Sequence, residues 1–468
     1  MKTKVFLSAL LPVIMLASCK KDHDNAPGPL GPINYDDYAK GGVHLEIVNS
    51  NPTDYSDDQL YIGVMGKTDG PNGQSAYVDL KTGKTILLNN LNALPQVVNP
   101  NNPTDGGKFL VIGTKMSDMP VDKATGHHSI PIPFITSGRI LFSIGKPLYY
   151  YINPGGTSLA APTKSTNPKD QNYGTITDFM EFTYYSTGSG ARVFVNTSRV
   201  DAYALSVGFE LNALQGTNGT IQRTGELMSR KNTIQAFKDF NKPADYNNCI
   251  RTTFGDIVNP GAMEDGSGKK IFTQTASYTK FQSYIDSIWT NYKTKDLLLV
   301  LGTNNVGSTD ANLVIKGRVD NNNVFNFTQT STVNGKTVVK AGTLPLKPTT
   351  SDVLGGNAPT GAFNNSSVDG QTGHELDNSL RVTFVAALNR HSILTDAAVN
   401  QTQYPEDVSK FYKVEPYNYY AAFWHAPGVS YKQLQYGFSY DDDANQSSTI
   451  VGDNPAYCTL YFGPVPNN

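Results

Sequence analysis

Residues Asp178–Leu205 read DFMEFTYYSTGSGARVFVNTSRVDAYAL, two apolar-rich arms around a turn of small residues, Ser186-Thr187-Gly188-Ser189-Gly190. Small residues tolerate the positive φ that a hairpin connection needs, so the arms are predicted to pair antiparallel. Each arm carries a carboxylate, Glu181 in the first and Asp201 in the second. Counting outward from the centre of the turn sets Glu181 opposite Asn196. Asp201 then lies about 17 Å farther along a straight strand, at about 3.4 Å per residue. The two acids meet only if the chain bends after Ser198. Such a bend would set two carboxylates across a cleft, the arrangement that acid/base cleavage of a glycosidic bond uses. Two solvated strand carboxylates are the plain alternative.

Upstream, the chain opens MKTKVFLSALLPVIMLASC, with Lys2 and Lys4 ahead of a short apolar run and then Cys19. This is a signal-peptide layout, and Leu16-Ala17-Ser18-Cys19 resembles the lipobox of bacterial lipoproteins, whose cysteine is acylated after cleavage. An ordinary secretory peptide with an incidental cysteine is the alternative. Residues 20–41 are polar and rich in Pro and Gly, as a flexible tether is. The expected protein is therefore a lipid-anchored one of the cell envelope, periplasmic or on the surface, held by Cys19. No later apolar stretch is long enough to cross a bilayer, so the body beyond the tether is expected to be soluble.

That body is long enough for two lobes. Charged residues make up 17% and the net charge is -2, which argues against a nucleic-acid partner, since phosphate neutralisation needs a basic excess. The abundance of Tyr (26) and Gly (42) suits a neutral polyhydroxyl ligand better. Cys249 and Cys458 could form one disulfide or remain buried thiols.

Short alternating runs at Val43–Asn49, Leu60–Met65, Ala76–Leu80, Thr85–Leu88, Thr136–Ser143 and Leu148–Ile152 predict strands, and turn signals between them point to an all-β sandwich or barrel. After Leu205 the pattern changes. Thr233–Phe240 predicts a short helix, and apolar residues at steps of three and four from Tyr278 to Tyr292 and from Leu380 to Asn389 predict helices with one buried face. Strand-like pieces at Asp296–Leu301 and Asn312–Ile315 lie between them. The chain returns to strands at Gly437–Tyr440 and Cys458–Phe462. The predicted division is a signal peptide over 1–19, a tether over 20–41, a β domain over 42–224, a mixed α/β lobe over 225–410, and a return to the β domain over 411–468.

Other chemistry finds little support. Asp441-Asp442-Asp443 begins like a calcium loop but has Gln446 and Gly452 where glycine and glutamate are needed. His127-His128 and His374-Glu375 lack partners at metal-site spacing, and no serine sits in a nucleophile elbow. No metal or cofactor is expected. Tyr149–Tyr151, Tyr417, Tyr419, Tyr420 and Trp424 offer flat faces for sugar rings, although strand geometry turns half of any such set inward.

Several blocks match one pattern in order. Ser137-Gly138-Arg139-Ile140, Glu181-Phe182-Thr183, Val195–Asp201 and Gly437–Asp442 resemble the landmarks of thaumatin-like proteins. Together with Gly145–Leu148, Tyr284–Trp289, Ala387–Arg390, Glu415-Pro416 and Asn418–Tyr420, the set is similar to glycoside hydrolase family 64, bacterial β-1,3-glucanases with a thaumatin-like barrel and a mixed α/β lobe. The resemblance runs from about residue 42 to the end. It implies a mainly β fold, a thaumatin-like barrel or sandwich with an inserted α/β lobe. It also implies cleavage of β-1,3-glucan by an inverting pair, Glu181 as general acid and Asp201 as general base. Arg139, Asn196 and Asp441 would line the cleft, with Tyr419 and Trp424 as stacking aromatics. On this reading Phe179, Met180 and Phe182 surround Glu181 and keep it protonated, while Arg139 lies nearer Asp201. Asn196 departs from the aspartate that plant thaumatin-like proteins usually carry, and their cysteine-rich bridging is absent. A non-catalytic glucan-binding lipoprotein and an adhesion protein are the competing functions; the expected protein is a monomer.

Overall fold

The computed structural model describes residues 44–162, 167–187, 190–215, 221–300, 314–333, 336–355, 374–399 and 401–467. The signal peptide with Cys19, the tether, Gly188-Ser189 at the hairpin tip and Asn312-Leu313 lie outside the described residues, as do the side chains of His374, Glu375 and Leu380.

The predicted hairpin lies inside a 12-stranded sheet. Its arms are Ile176–Thr187 and Gly190–Thr197, paired antiparallel with Glu181 opposite Asn196. From the arms the sheet extends one way through Ile135–Ile144, Leu60–Thr68, Ser75–Asp79 and Lys84–Leu87, and the other way through Ile450–Phe462, Val207–Gln215 and Ile221–Gly225. His44–Asn49 pairs parallel with Ile450–Phe462, Leu45 facing Cys458, so the start and end of the described chain meet in one sheet. Strands far apart in this order share a core: Val78, Ile140, Phe182, Phe209 and Leu460 belong to one buried cluster. The sheet therefore wraps around its own apolar face without closing into a barrel. This mainly β, sandwich-like arrangement is the fold class expected.

A four-stranded sheet covers part of the opposite face, in the order Leu159–Ala160, Leu148–Ile152, Lys108–Ile112, Val97–Val98. Its Leu110, Ile112, Leu148, Tyr150 and Ile152 pack with Leu141 and with the flanks of Met65 and Phe179. The period-two alternation of Leu148–Ile152 leaves Tyr149 and Tyr151 on its far side.

The second lobe is mixed α/β. Helix Ala276–Asn291 begins where the Thr275 hydroxyl accepts from Tyr278 N–H, a helix-capping bond. Its buried stripe of Phe281, Tyr284, Ile285, Ile288 and Trp289 is the one that the three-and-four spacing predicts. Helices Arg230–Asp239 and His374–Arg390 and a five-stranded sheet built around Val314–Val319 and Phe325–Val333 complete it. Two expectations fail here. Gly437–Tyr440 is a tight turn, because Gly437 N–H donates to the Asp441 carboxylate and its backbone presses on helix Tyr419–Trp424; a Cβ there would stand 2.7 Å from Ala421 Cα. That helix belongs to the second lobe's core, although residues 411–468 were expected to return to the β domain: Tyr419, Tyr420, Phe423 and Trp424 pack with Phe237, Tyr246 and Tyr203.

Candidate active site

Beside the small sheet, on the face of the large sheet that it partly covers, cross-strand register aligns Met65, Arg139, Glu181 and Asn196 in one row. Residues directly opposite share a face, so Arg139 and Asn196 flank Glu181. Asn196 is buried, and its Nδ2–H donates to Glu181 Oε2 at 3.2 Å. Arg139 is exposed, with its guanidinium 4.4 Å above the centre of the Phe179 ring, a cation–π contact.

The row depends on a bulge. Pairing slips between Met65 and Lys67 and between Phe182 and Tyr184, where Ser137 has φ 47° and its N–H donates to Thr183 Oγ1. Gly138 fits because the Ile135 side chain and the backbones of both neighbouring strands converge on it: a Cβ would lie 2.7 Å from Ile135 Cγ2, 2.9 Å from Phe182 O and 3.0 Å from Met65 O. A bulge re-aims the next side chain, here Arg139. Two sequence expectations are corrected by this geometry. Met180 and Phe182 point into the opposite core, so they do not surround Glu181. Arg139 is the neighbour of Glu181 in the register, not the partner reserved for Asp201.

The bend after Ser198 is present. The strand ends at Thr197, Ser198 bridges to Tyr436, and Ala202–Tyr203 joins a different, three-stranded sheet with Asp256–Val258. Tyr203 lies in the second lobe's core while Ala204 and Leu205 lie in the first, so Asp201 stands exposed on the seam between the lobes. Its carbonyl accepts from Asn259 N–H.

Arg199 fixes this corner. Fully buried, it donates Nε–H to Glu226 Oε1 at 2.7 Å and Nη1–H to Asp178 Oδ1 at 2.8 Å. Burial opposes the charge, but Asp178 and Glu226 outweigh it and hold the guanidinium protonated. Asp178 Oδ2 accepts from the N–H groups of Ala204 and Leu205, beyond the bend. Gln435 ties in the third segment, donating to Glu226 and accepting from Thr197. Sequence reading missed this network. Asp178 opens the quoted stretch and Arg199 lies within it, but their partners Glu226 and Gln435 sit far off in the chain.

The remaining sequence candidates divide. Asp441 is fully buried, paired with Arg390 at 2.9 Å and with His425 Nε2 at 2.8 Å, and is therefore structural rather than a cleft acid. Its neighbour Asp442 is the half-buried one. Burial, then the charges of Asp443 and Asp441, push the Asp442 carboxyl up to about 7. Burial pushes the phenol of Tyr436 up, and the nearby charges of Asp442 and, more weakly, Glu181 push it further. Tyr419 and Trp424 are core residues: Trp424 is packed against Tyr203 and Phe423 at ring-centre distances of 5.1 and 4.8 Å, so neither offers a face to a ligand. Cys249 and Cys458 are free thiols buried in the two separate cores.

A family model described as β-1,3-glucanase matches residues 42–462. The chain belongs to glycoside hydrolase family 64. Two bacterial relatives, each named glucan endo-1,3-β-glucosidase, come from Cellulosimicrobium cellulans and from Arthrobacter sp. strain YCWD3. They are 25% identical over 328 residues, 70% of this chain and 52% of theirs. The family 64 chain thus spans about half the length of the curated relatives it matches. A β-1,3-glucanase domain from Clostridium beijerinckii has a similar structure, with a TM-score of 0.61 and 25% identity over 93% of this chain and all of that one. The laminaripentaose-producing enzyme of Paenibacillus barengoltzii, solved with laminarihexaose, aligns at a TM-score of 0.56 and 24% identity, covering 90% of this chain and 75% of its own. These structural likenesses span both the sandwich-like β lobe and the α/β lobe of this chain.

Proposed function

We propose that this family 64 chain hydrolyses β-1,3-glucan, with Glu181 as general acid and Asp201 as general base of an inverting displacement. One observation carries the reading: a strand sets Glu181 on the sheet face beside the small sheet, and the Arg199-locked corner turns Asp201 outward on the lobe seam, in a chain that matches the family over 42–462. Glu181 gives its proton to the glycosidic oxygen as the bond to the anomeric carbon breaks. Asp201 takes a proton from the water that attacks the opposite side of the sugar, which needs a carboxyl separation of about 6.5–9.5 Å. Asn196 serves both protonation states of Glu181. Its Nδ2–H donates to the carboxylate, and the amide turned over offers Oδ1, which is buried with no hydrogen-bond partner among the described residues, to the carboxylic acid. Arg139 is placed to hydrogen-bond sugar hydroxyls beside the acid.

Reducing-end release from laminarin tests this. Glu181→Gln and Asp201→Asn are each expected to fall by at least about a hundredfold, with the wild-type product inverted by NMR. A Glu181→Gln rate equal to wild type would overturn the assignment and favour a non-catalytic glucan binder. We further infer from Leu16–Cys19 that the protein is acylated at Cys19 and held in the cell envelope; Cys19→Ser is expected to move it from the membrane to the soluble fraction.

A further inference from the structure

We propose that the four-stranded sheet carries a second sugar-binding site, on its face turned away from the large sheet, for a glucosyl unit of a neighbouring glucan chain. This rests on the glucan reading above. A cavity of about 360 Å³ opens there, lined by Asp105, Gly106, Gly107, Phe109, Tyr151 and Gln171. That is within the range of small-ligand sites, on the order of 300–1,000 Å³.

The floor is aromatic. Tyr151 faces Phe109 across the strand pair, with ring centres 5.5 Å apart at 61°, so the buried Phe109 props the half-buried Tyr151 from its edge. The same strands turn Tyr150 and Leu110 toward the large sheet, which puts Tyr151 and Phe109 on the outward face.

The rim is polar and held in place from beneath. Asp105 Oδ2 accepts from Asn99 Nδ2–H at 2.7 Å, and Oδ1 accepts from Gly107 N–H at 2.7 Å. Each oxygen keeps a further lone pair for a hydroxyl. The buried Asn99 also donates to Lys169 O, and the buried Asn172 exchanges two bonds with the Tyr149 backbone. These bonds fasten both loops that wall the cavity, the one bearing Asp105 and the one bearing Gln171. Gly107 keeps the floor accessible, since a Cβ there would lie 3.0 Å from both the Phe109 ring and Asp105 Oδ1.

A half-buried aromatic face beside a carboxylate and an amide, with no cation among the described lining residues, suits a neutral pyranose better than a phosphate. Its C–H face packs on Tyr151 while its hydroxyls meet Asp105 and Gln171. The small sheet's own thickness stands between this face and the large sheet that bears Glu181, so the two sites would hold different chains of an insoluble glucan. A second anchor raises residence on a particle without altering the cut.

The test compares Tyr151→Ala, Gln171→Ala and Tyr151→Phe with wild type, each checked for an unchanged Tm. The readouts are co-sedimentation with insoluble β-1,3-glucan and hydrolysis of soluble laminarihexaose. Tyr151→Ala is expected to bind the particles roughly fivefold more weakly; Gln171→Ala should fall in between, and Tyr151→Phe should match wild type. All three should hydrolyse laminarihexaose at the wild-type rate. Undiminished sedimentation of Tyr151→Ala, or equal losses on soluble and insoluble substrate, would overturn the second site. If wild type sediments but cleaves nothing, the catalytic reading fails, while the Tyr151 comparison still decides this one.

Discussion

Asn196 and Trp424 show how much a single side chain's setting decides. Asn196 sits where an aspartate would place a second carboxylate against Glu181, 3.2 Å from its nearest oxygen. Two acids at that distance share a proton, so in Asn196→Asp the pair should keep one to higher pH. The alkaline limb of the pH–rate profile is expected to move upward, with a loss of maximal rate because the shared proton is held between the two acids. An unmoved limb would mean that Asn196 does not govern the protonation of Glu181. Trp424 tests the opposite case, an aromatic that sequence reading assigned to ligand stacking. Fully buried against Tyr203, Tyr420 and Phe423, it should act through stability. Trp424→Ala is expected to lose about 3–5 kcal/mol in denaturant unfolding, with KM for laminarin unchanged in whatever fraction stays folded.

At the scale of elements, the corner between the Asn196 strand and Ala202 is the part that most needs support. Arg199→Met removes the cation from between Asp178 and Glu226, leaving two buried carboxylates uncompensated at a cost of about 3–5 kcal/mol. Asp178→Asn should be milder, since its amide oxygen can still accept from Ala204 or Leu205 N–H. The expected order in thermal melts is wild type, Asp178→Asn, Arg199→Met, with activity falling in step as Asp201 loses its place; an Arg199→Met melt equal to wild type would remove the corner from the argument. The elements themselves were readable in the sequence where periodicity is local. The hairpin register follows from counting outward from a turn of small residues, and the Ala276–Asn291 stripe from steps of three and four. What could not be read depends on contacts across the chain. Gly437–Tyr440 has strand-like composition, but the Asp441 carboxylate and helix Tyr419–Trp424 fold it into a turn. Asp441 as a cleft residue fails for the same reason: only the position of Arg390 and His425 shows that it is sealed in.

For the molecule as a whole, Asp442 links folding to pH. Its carboxyl stands at about 7 in the folded protein against an ordinary 3.8. Between those values the folded state holds a proton that the unfolded state has released, so stability falls as pH rises through that window. Asp442→Asn should flatten the slope and melt higher than wild type at pH 8, with little difference at pH 4; a parallel pair of Tm–pH curves would exclude Asp442 as the source. A different consequence follows from the place of Ile450–Phe462, which lies between Gly190–Thr197 and Val207–Gln215 and also pairs with His44–Asn49. The ribosome makes this strand long after the partners that wait on either side of it. Until it emerges, the wall has a missing plank in the middle, and neither half of the sheet can close over its apolar side.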